Sequence, residues 1–152
     1  MKGLDESLKI SLFSIPGTHD SAARDHSLEF VNCQVLDIRS QLEIGVRFFD
    51  MRVAAKNGDW VMMHGTFDLG FNFYVDMLRP IYSFLIQYPS ECVIMRIKKE
   101  GDDDLPNEPF ARYYRRNPTM WLLQDGIPTL KECKGRIFAL RQGWDAPSGK
   151  IR

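Results

Sequence analysis

The sequence predicts an α/β fold built around parallel strands, and two patterns support that prediction. Short β-type runs alternate with stretches whose apolar residues recur at helical spacing, which is the order of βα units. Several of these runs are apolar on both faces and become polar only at their ends, as buried parallel strands do where they form a site. The 152 residues suffice for one domain with a core, which we place over residues 1–152.

Five β-type runs follow one another along the chain. They are Lys9–Ile15, Val46–Val53, Trp60–His64, Cys92–Lys98 and Arg136–Arg141. In the second run, alternate residues share a face, and both faces are apolar until Asp50 and Arg52 appear on one of them. His64 ends the third run and Lys98 ends the fourth. We therefore expect three strand ends to bring polar groups to one rim.

Four helical stretches are predicted between these runs. They are Gln34–Ile44, Asp76–Tyr88, Phe110–Arg116 and a short one between Pro128 and Gly135. The first should bury Val35, Ile38 and Leu42 on one face and end before Gly45. The face of the second that should be buried carries Met77, Ile81, Phe84, Leu85 and Tyr88. Its Pro80 falls near the first turn, where a missing amide hydrogen costs little. The acidic stretch Gly101–Pro109 predicts a surface loop.

Composition excludes some classes of protein. Twenty basic and twenty acidic residues give a net charge of zero, whereas a general nucleic-acid binder would be basic. No apolar run reaches the roughly 18 residues of a transmembrane helix. Met1–Ile10 is too charged for a signal peptide, so secretion after removal of a signal and a cytoplasmic location both stay open. Cys33, Cys92 and Cys133 lack metal-site spacing, and we expect buried free thiols.

Two histidines and an arginine suit the cleavage of a phosphodiester without a metal. That reaction needs a base, an acid and fixed positive charge on the phosphorane oxygens. His19 and His64 are the candidates for base and acid, because histidine titrates near neutrality. Arg52 is the candidate for the charge, because its fork binds phosphate through two nitrogens.

Two carboxylates and a lysine complete this predicted site. Asp20 and Asp50 are candidates to fix the imidazole tautomers or to orient the arginine. Lys98 would add charge on the phosphate or hydrogen bonds to a polyol. Each of these residues, considered alone, also fits a simpler role. His64 fits a structural histidine, Asp50 fits an ion pair with Arg52, and Lys98 fits a solvated strand end. Convergence of three strand ends favours the site, whereas His26 lies in a polar stretch and is expected to be exposed.

The chain resembles the X domain of phosphatidylinositol-specific phospholipase C, in its bacterial, metal-independent form. The matching segments are Leu12–Ser21 (LFSIPGTHDS), Leu42–Arg52 (LEIGVRFFDMR), His64-Gly65, Tyr88–Glu100 (YPSECVIMRIKKE) and Ile127–Leu140 (IPTLKECKGRIFAL). The resemblance implies a TIM-barrel-like (β/α) fold of the distorted phospholipase C type. Because a full barrel takes about 250 residues, a half-barrel with only the N-terminal part, a fragment and a compact variant all stay open.

The resemblance also implies an activity and its residues. Phosphatidylinositol, or a glycosylated phosphatidylinositol anchor, would be cleaved to diacylglycerol and inositol 1,2-cyclic phosphate, without a metal or another cofactor. His19 would be the general base and His64 the general acid, with Asp20 pairing with His64. Arg52 would stabilise the phosphorane and Lys98 would line the inositol pocket.

Two further points follow from the resemblance. Bacterial relatives carry an inositol-contacting arginine at the end of the fifth strand, where Arg141 stands here in a register uncertain by one residue. The carboxylate that orients the base in the family lies in its C-terminal part, and nothing in this sequence obviously replaces it.

The expected partner is a membrane lipid with transient membrane-surface contact, no nucleic acid, and an oligomeric state that the sequence does not give. The aromatic run at the rim suits either a lipid interface or packing over the barrel mouth; it carries Phe67, Leu69, Phe71, Phe73 and Tyr74. Two other functions stay open. One is a non-catalytic inositol-lipid-binding module, and the other is a metal-dependent enzyme like the glycerophosphodiester phosphodiesterases.

Overall fold

A computed structural model describes residues 1–101 and 103–142, which are organised by a seven-stranded sheet. The strands are β1 (Gly17–Thr18), β2 (Phe48–Lys56), β3 (Asp59–His64), β4 (Phe67–Asn72), β5 (Val93–Lys99), β6 (Trp121–Leu122) and β7 (Ile137–Gln142). The helices are α1 (Ile38–Glu43), α2 (Arg79–Gln87), α3 (Asn107–Arg116) and α4 (Leu130–Cys133). Residue 102 of the predicted loop and residues 143–152 of the predicted domain lie outside the described residues.

Parallel strands form the centre of the sheet. Its order is β4-β3-β2-β5-β7-β6, with β1 parallel to the start of β2. The strands β2, β5, β7 and β6 all run in the same direction. Helices α2, α3 and α4 occur between successive members of this set. The predicted α/β class is thus confirmed, and the carboxyl ends of β2, β5 and β7 meet at one edge.

The third run is a strand, but its predicted parallel pairing was wrong. A two-residue turn joins β2 to an antiparallel β3, and Asn57 and Gly58 in it have φ angles of 52° and 74°. Such positive angles at both positions suit a tight hairpin. The strand β4, also antiparallel, was missed because its residues were assigned to a rim loop. The register of β3 pairs Val53 with Met62, which returns His64 toward the middle of β2.

The predicted strand Lys9–Ile15 was wrong. Residues Ile10–Leu12 form a single 3-10 turn, and Leu12 is exposed, so the alternating burial of a strand is absent from this segment. The nearest strand is the short β1. There a Cβ on Gly17 would lie 2.9 Å from Cβ of Phe48, so glycine allows the two backbones to approach.

Helix α1 is shorter than predicted. Asp37 caps it by accepting a hydrogen bond from the amide of Ser40. Val35 therefore lies outside the helix and is 93% exposed, so its predicted burial was wrong. Burial of Ile38 and Leu42 is confirmed.

The other helices match their predictions closely. A π-helical turn, Phe73–Leu78, leads into α2, and Pro80 lies in the first turn of that helix. Burial is confirmed for the predicted residues Met77, Ile81, Phe84 and Leu85. Tyr88 lies beyond the helix and is exposed. Helix α3 begins at Asn107, within the predicted loop, and α4 opens with a capping box of Thr129 and Glu132.

Two apolar cores lie on opposite faces of the sheet. The larger contains Phe49, Met51 and Val53 of β2 together with residues of α1, α2 and α3. On the other face, Phe48, Ile94 and Phe138 form one row across β2, β5 and β7. Two further rows follow on that face toward the carboxyl ends: Asp50, Arg96 and Leu140, then Arg52, Lys98 and Gln142. The candidate site is built on these two rows.

The thiols match their prediction in part. All three cysteines are free, and Cys92 and Cys133 are buried. Cys33 is exposed, so its predicted burial was wrong. It stands in the loop between a 3-10 turn, Glu29–Val31, and α1.

Candidate active site

Asp50 anchors the site from the middle of β2. Its side chain is buried, and Oδ1 accepts a hydrogen bond of 3.0 Å from Nη1 of Arg96. Oδ2 accepts bonds of 3.3 Å from Nε and Nη2 of Arg52 and from the amide of Asp20. A buried carboxylate with two guanidinium partners is held in one orientation.

Ser21 ties the loop after β1 to this strand. Its hydroxyl accepts a 2.8 Å hydrogen bond from the amide of Asp50, and its own amide donates to the carbonyl of Asp50 at 3.0 Å. The side chain of Gln41 in α1 donates to the Ser21 carbonyl at 2.9 Å. The two residues just before Ser21, His19 and Asp20, are thereby placed beside β2.

Asp20 is the centre of the site. Its backbone has φ 43°, a left-handed conformation that aspartate and asparagine adopt more readily than most residues. Its side chain is 1% exposed; Oδ1 forms an ion pair with Nε of Arg52, and Oδ2 lies 3.1 Å from Nε2 of His19 and 3.4 Å from Nε2 of His64. Burial raises the pKa of this carboxyl, although Arg52 and both histidines act to lower it.

His64 is held by the backbone. Its Nδ1 lies 2.7 Å from the carbonyl oxygen of Val31. Since a carbonyl can only accept, Nδ1 carries a proton, and Nε2 is the nitrogen directed at Asp20. The ring is 26% exposed at the mouth of the site.

His19 is held by charge. It is 66% exposed, with Nε2 near Asp20 and Nδ1 3.3 Å from Oδ2 of Asp50. The side chain of Gln34 donates to its carbonyl oxygen at 2.7 Å. Asp50, one of the two carboxylates predicted to fix the imidazole tautomers, thus lies beside this histidine.

A carboxylate that the sequence analysis missed joins Arg52 to Lys98. Oε1 of Glu100 lies 3.2 Å from Nη1 of Arg52 and 2.8 Å from Nζ of Lys98. Burial acts to lower the pKa of Arg52, but its three carboxylate neighbours raise it overall. The missed signal was the period of two on β5, which puts residues 96, 98 and 100 on one face.

The structure does not bring Arg141 to the site. It lies in register with Ile97, on the opposite face of the sheet from Lys98, and its guanidinium is 3.7 Å from Asp125. Gln142 shares the row of Lys98, and its side-chain oxygen accepts a 2.9 Å bond from Nε of Arg96. The one-residue register difference thus puts Gln142, rather than Arg141, on the site face.

The aromatic run forms β4 and the π-helical turn after it. Its side chains pack against the larger core rather than extending into solvent. Leu69 and Phe73 are buried, and Phe67, Phe71 and Tyr74 pack against the larger core. Highly exposed apolar side chains instead include Phe30 and Val35, which flank Cys33 in the sequence. Along the described residues, we find no helix long and apolar enough to cross a bilayer.

Within residues 1–101 and 103–142, one group of side chains could hold a metal ion. Ligand atoms of His19, Asp20 and Cys33 all lie within 4.8 Å of one another. His26, which the sequence analysis assigned to an exposed stretch, is outside this group and packs edge-on against Phe67.

In chemical terms, the site offers two imidazoles, fixed positive charge and a buried carboxylate that contacts all of them. One exposed imidazole can accept a proton, and the second, beside the same oxygen of Asp20, can donate one. Arg52 and Lys98 offer cationic groups beside them for an anionic substrate.

Comparison with known proteins places this arrangement in a family context. The family model described as phosphatidylinositol-specific phospholipase C, X domain, matches residues 13–142. The chain is 31% identical over 150 residues to 1-phosphatidylinositol phosphodiesterase from Staphylococcus aureus, and 29% identical over 160 residues to the protein of that name from Listeria monocytogenes. These alignments cover 90% and 93% of this chain and 48% of each relative. The chain thus spans about half the length of the curated relatives it matches.

The structural comparison agrees with the sequence comparison. A crystal structure of phosphatidylinositol-specific phospholipase C from Staphylococcus aureus, with incorporated pentafluoro-phenylalanine, matches with a TM-score of 0.79 at 29% identity. The match covers 91% of this chain and 50% of that one. The predicted TIM-barrel-like fold of the distorted phospholipase C type is thereby confirmed.

Proposed function

Because this chain belongs to the family of phosphatidylinositol-specific phospholipase C X domains, we propose that it is a phosphodiesterase acting on phosphatidylinositol or its glycosylated anchors. The products are diacylglycerol and inositol 1,2-cyclic phosphate. The reaction is an attack by the inositol 2-hydroxyl on phosphorus, with general acid and base groups from the protein.

The observation that best supports this proposal is the shared carboxylate between two imidazoles. Nε2 of His19 and Nε2 of His64 both lie near Oδ2 of Asp20, at 3.1 Å and 3.4 Å. Arg52 occupies the other oxygen of the same group. A histidine with a purely structural role does not require that a second histidine and an arginine contact the same buried carboxylate.

His19 acts as the base in this proposal. Asp50 accepts a hydrogen bond from Nδ1–H, so the lone pair of neutral His19 lies on Nε2. When substrate binds, the 2-hydroxyl takes the place of Asp20 beside Nε2 and gives its proton to that nitrogen. The high exposure of the ring gives a lipid headgroup access to it. After attack, the imidazolium is stabilised by two carboxylates.

His64 acts as the acid. In its cationic form it keeps the Nδ1 proton on Val31 and transfers the Nε2 proton to the leaving diacylglycerol oxygen. Arg52 places a fixed positive charge on the phosphorane oxygens. Lys98, joined to Glu100, is available for the hydroxyls of the inositol ring.

The test is release of water-soluble inositol phosphate from phosphatidylinositol in detergent micelles. We expect turnover that persists with chelator and is lost in His19→Ala and in His64→Ala. Lys98→Ala should raise KM with little change in kcat, because it removes binding to the headgroup. Wild-type-like turnover in either histidine variant would falsify the acid–base assignment.

The same assay separates the two other functions. Binding to inositol-lipid vesicles with no product from the folded chain would indicate a non-catalytic module. Turnover abolished by chelator would indicate a metal-dependent phosphodiesterase. Phosphorus NMR of the product identifies the cyclic ester and checks the role of the 2-hydroxyl.

We further propose transient contact with the membrane surface through Phe30 and Val35. Both are highly exposed in the loop region that also carries Cys33, beside His19. A double variant with Phe30→Ser and Val35→Ser should bind phosphatidylinositol vesicles more weakly but keep its turnover on a soluble substrate. Ile86→Ser is the control, because Ile86 is about as exposed as Phe30 but belongs to α2. An equal loss in the control would contradict the assignment.

A further inference from the structure

Cys33 lies beside the proposed base, where neither the fold nor the reaction requires a thiol. Its Sγ, a carboxylate oxygen of Asp20 and a ring nitrogen of His19 are all within 4.8 Å of one another. Thiolate, imidazole and carboxylate are the three ligand types that zinc sites in proteins use. His19 and Asp20 lie in the loop after β1, and Cys33 lies in the next loop, after the 3-10 turn Glu29–Val31.

The state of Asp20 is a second, independent observation. Its side chain is 1% exposed. Among the described residues, neither of its oxygens accepts a hydrogen bond of good geometry, despite the nearby cationic groups. The ion pair with Arg52 occupies Oδ1, so Oδ2, which faces the two histidines, is the oxygen that can offer a lone pair to a ligand.

The surroundings of His19 resemble the outer shell of a metal site. Its Nδ1 lies 3.3 Å from Oδ2 of Asp50, and its Nε2 is on the side of Asp20. Metal-bound histidines usually donate their other ring proton to a carboxylate in this way, which fixes the tautomer and increases ligand basicity.

Cys33 is fixed mainly by its backbone, and its thiol makes one long contact, 4.0 Å from Sγ to the carbonyl oxygen of Val31. Its amide donates a 2.8 Å hydrogen bond to the carbonyl of Ala23, and the next amide, of Gln34, donates to the same oxygen at 2.9 Å. Ala23 is buried, so the loop is anchored in the core while Sγ stays accessible.

We propose that His19, Asp20 and Cys33 form an inhibitory binding site for a borderline-soft divalent cation of the zinc class. Three protein ligands leave a fourth position for water or a phosphate oxygen. The bound ion occupies the Nε2 lone pair of His19, so the base cannot accept a proton. Hard cations such as Ca²⁺ and Mg²⁺ are excluded because they prefer six or more oxygen ligands.

The site is reversible rather than a permanent metal centre. The guanidinium of Arg52 contacts Asp20 and repels a cation there. Binding also requires the Cys33 thiol to lose its proton, so occupancy rises with pH. The inhibitory effect rests on the proposed function, whereas binding of the ion does not.

The binding test is a titration of the full chain with Co²⁺, a spectroscopic substitute for Zn²⁺. We expect a thiolate-to-cobalt charge-transfer band that Zn²⁺ displaces. Cys33→Ser should lose this band and bind Zn²⁺ at least 100-fold more weakly, exceeding the roughly 10–100-fold cost of losing an outer partner. Cys133→Ala, which removes a buried thiol, should keep the band. A band unchanged in Cys33→Ser, or absent from the parent chain, would overturn the proposal.

The activity test adds Zn²⁺ to the inositol phosphate assay. The parent chain should be inhibited and recover fully with chelator, and Mg²⁺ at the same concentration should have no effect. Cys33→Ser should keep its activity without metal and resist Zn²⁺. Equal inhibition of both chains would overturn the inhibitory role. If the chain shows no turnover at all, the proposed function fails and the cobalt spectrum still decides the binding site.

Discussion

His64 and His19 share one carboxylate oxygen, but the protein holds them by different means. His64 ends a strand, is 26% exposed and donates to a backbone carbonyl at 2.7 Å. His19 lies in a loop, is 66% exposed and faces carboxylates at 3.1 Å and 3.3 Å. The proposed acid is therefore positioned by a backbone carbonyl and the proposed base by two side-chain carboxylates. Substitutions that change the charge of the site should displace the proposed base first.

The largest expected effect separates the two histidines by chemical rescue. His19→Ala and His64→Ala should each lower kcat by about 10²–10⁴-fold, the usual contribution of a general acid or base. Added imidazole should restore more activity to His19→Ala, because that position is open to solvent. His26→Ala, outside the site, should behave like the parent chain. Equal rescue of both variants would remove the distinction between the two positions.

The next effect tests the arginine that contacts both partners of His19. In Arg52→Lys, one ammonium group cannot span Asp20, Asp50 and Glu100 as the guanidinium does. We expect kcat to fall by about 10²–10³-fold, as for loss of a charge-stabilising donor. Arg39→Lys is the control, because Arg39 is at the surface and pairs with Glu43. Similar losses in both variants would show a general effect of the substitution.

Asp20→Asn should lower activity and stabilise the fold. Burial raises the pKa of Asp20, so the folded chain binds this proton more readily than the unfolded chain does. The ionised group thus costs stability once pH rises through the folded pKa. Asparagine has no such charge and tolerates the left-handed backbone.

Thermal unfolding across pH measures this effect. The variant should have the higher Tm at neutral pH, by about 2–4 °C for each kcal/mol. The difference should vanish well below the usual aspartate pKa of 3.8. Turnover should fall about 10²-fold through misplaced histidines. Asp125→Asn, an exposed control, should leave Tm unchanged, and a lower Tm for Asp20→Asn at neutral pH would contradict the argument.

Weakening the anchor of the loop that carries His19 should affect only the proposed base. Gln34→Ala removes the 2.7 Å hydrogen bond to the carbonyl of His19. We expect about a tenfold loss of kcat, less than the roughly 10²-fold that a 1 Å misplacement can cost. Gln87→Ala, which removes a surface partner of Arg39, is the control. Equal losses in Gln34→Ala and Gln87→Ala would argue against His19 as the affected group.

The smallest effect concerns the end of β7. Gln142→Ala should raise KM about fivefold, the value of one hydrogen bond of about 1 kcal/mol. Arg141→Ala should leave KM unchanged, because Arg141 lies on the opposite face with Asp125. The reverse result would show that the strand binds substrate in a register shifted by one residue.

The local sequence pattern was enough to predict the candidate site residues that lie on strands. Period-two alternation on β2 put Asp50 and Arg52 on one face, and the end of the apolar run marked His64. These signals depend on neighbours along the chain, so they survive without knowledge of the fold. The larger core on α2 was predicted for the same reason.

Contacts between distant segments could not be predicted in this way. Nothing local shows that the carbonyl of Val31 meets His64, or that Arg96 contacts Asp50 from the neighbouring strand β5. The predicted burial of Cys33 was wrong because the exposure of a cysteine in a loop depends on the elements that surround the loop. The Asn57-Gly58 pair, by contrast, is a local signal that predicts the hairpin between β2 and β3.

The carbonyl that fixes His64 has a consequence for evolution. Every amino acid carries the same peptide oxygen, so a single substitution at Val31 cannot remove the hydrogen-bond acceptor of the proposed acid. The acceptor of the proposed base is a side chain, Asp50, which one mutation can delete. Inactivation of this site by drift should therefore begin at the base, with His64 still correctly oriented in chains that have already lost their activity.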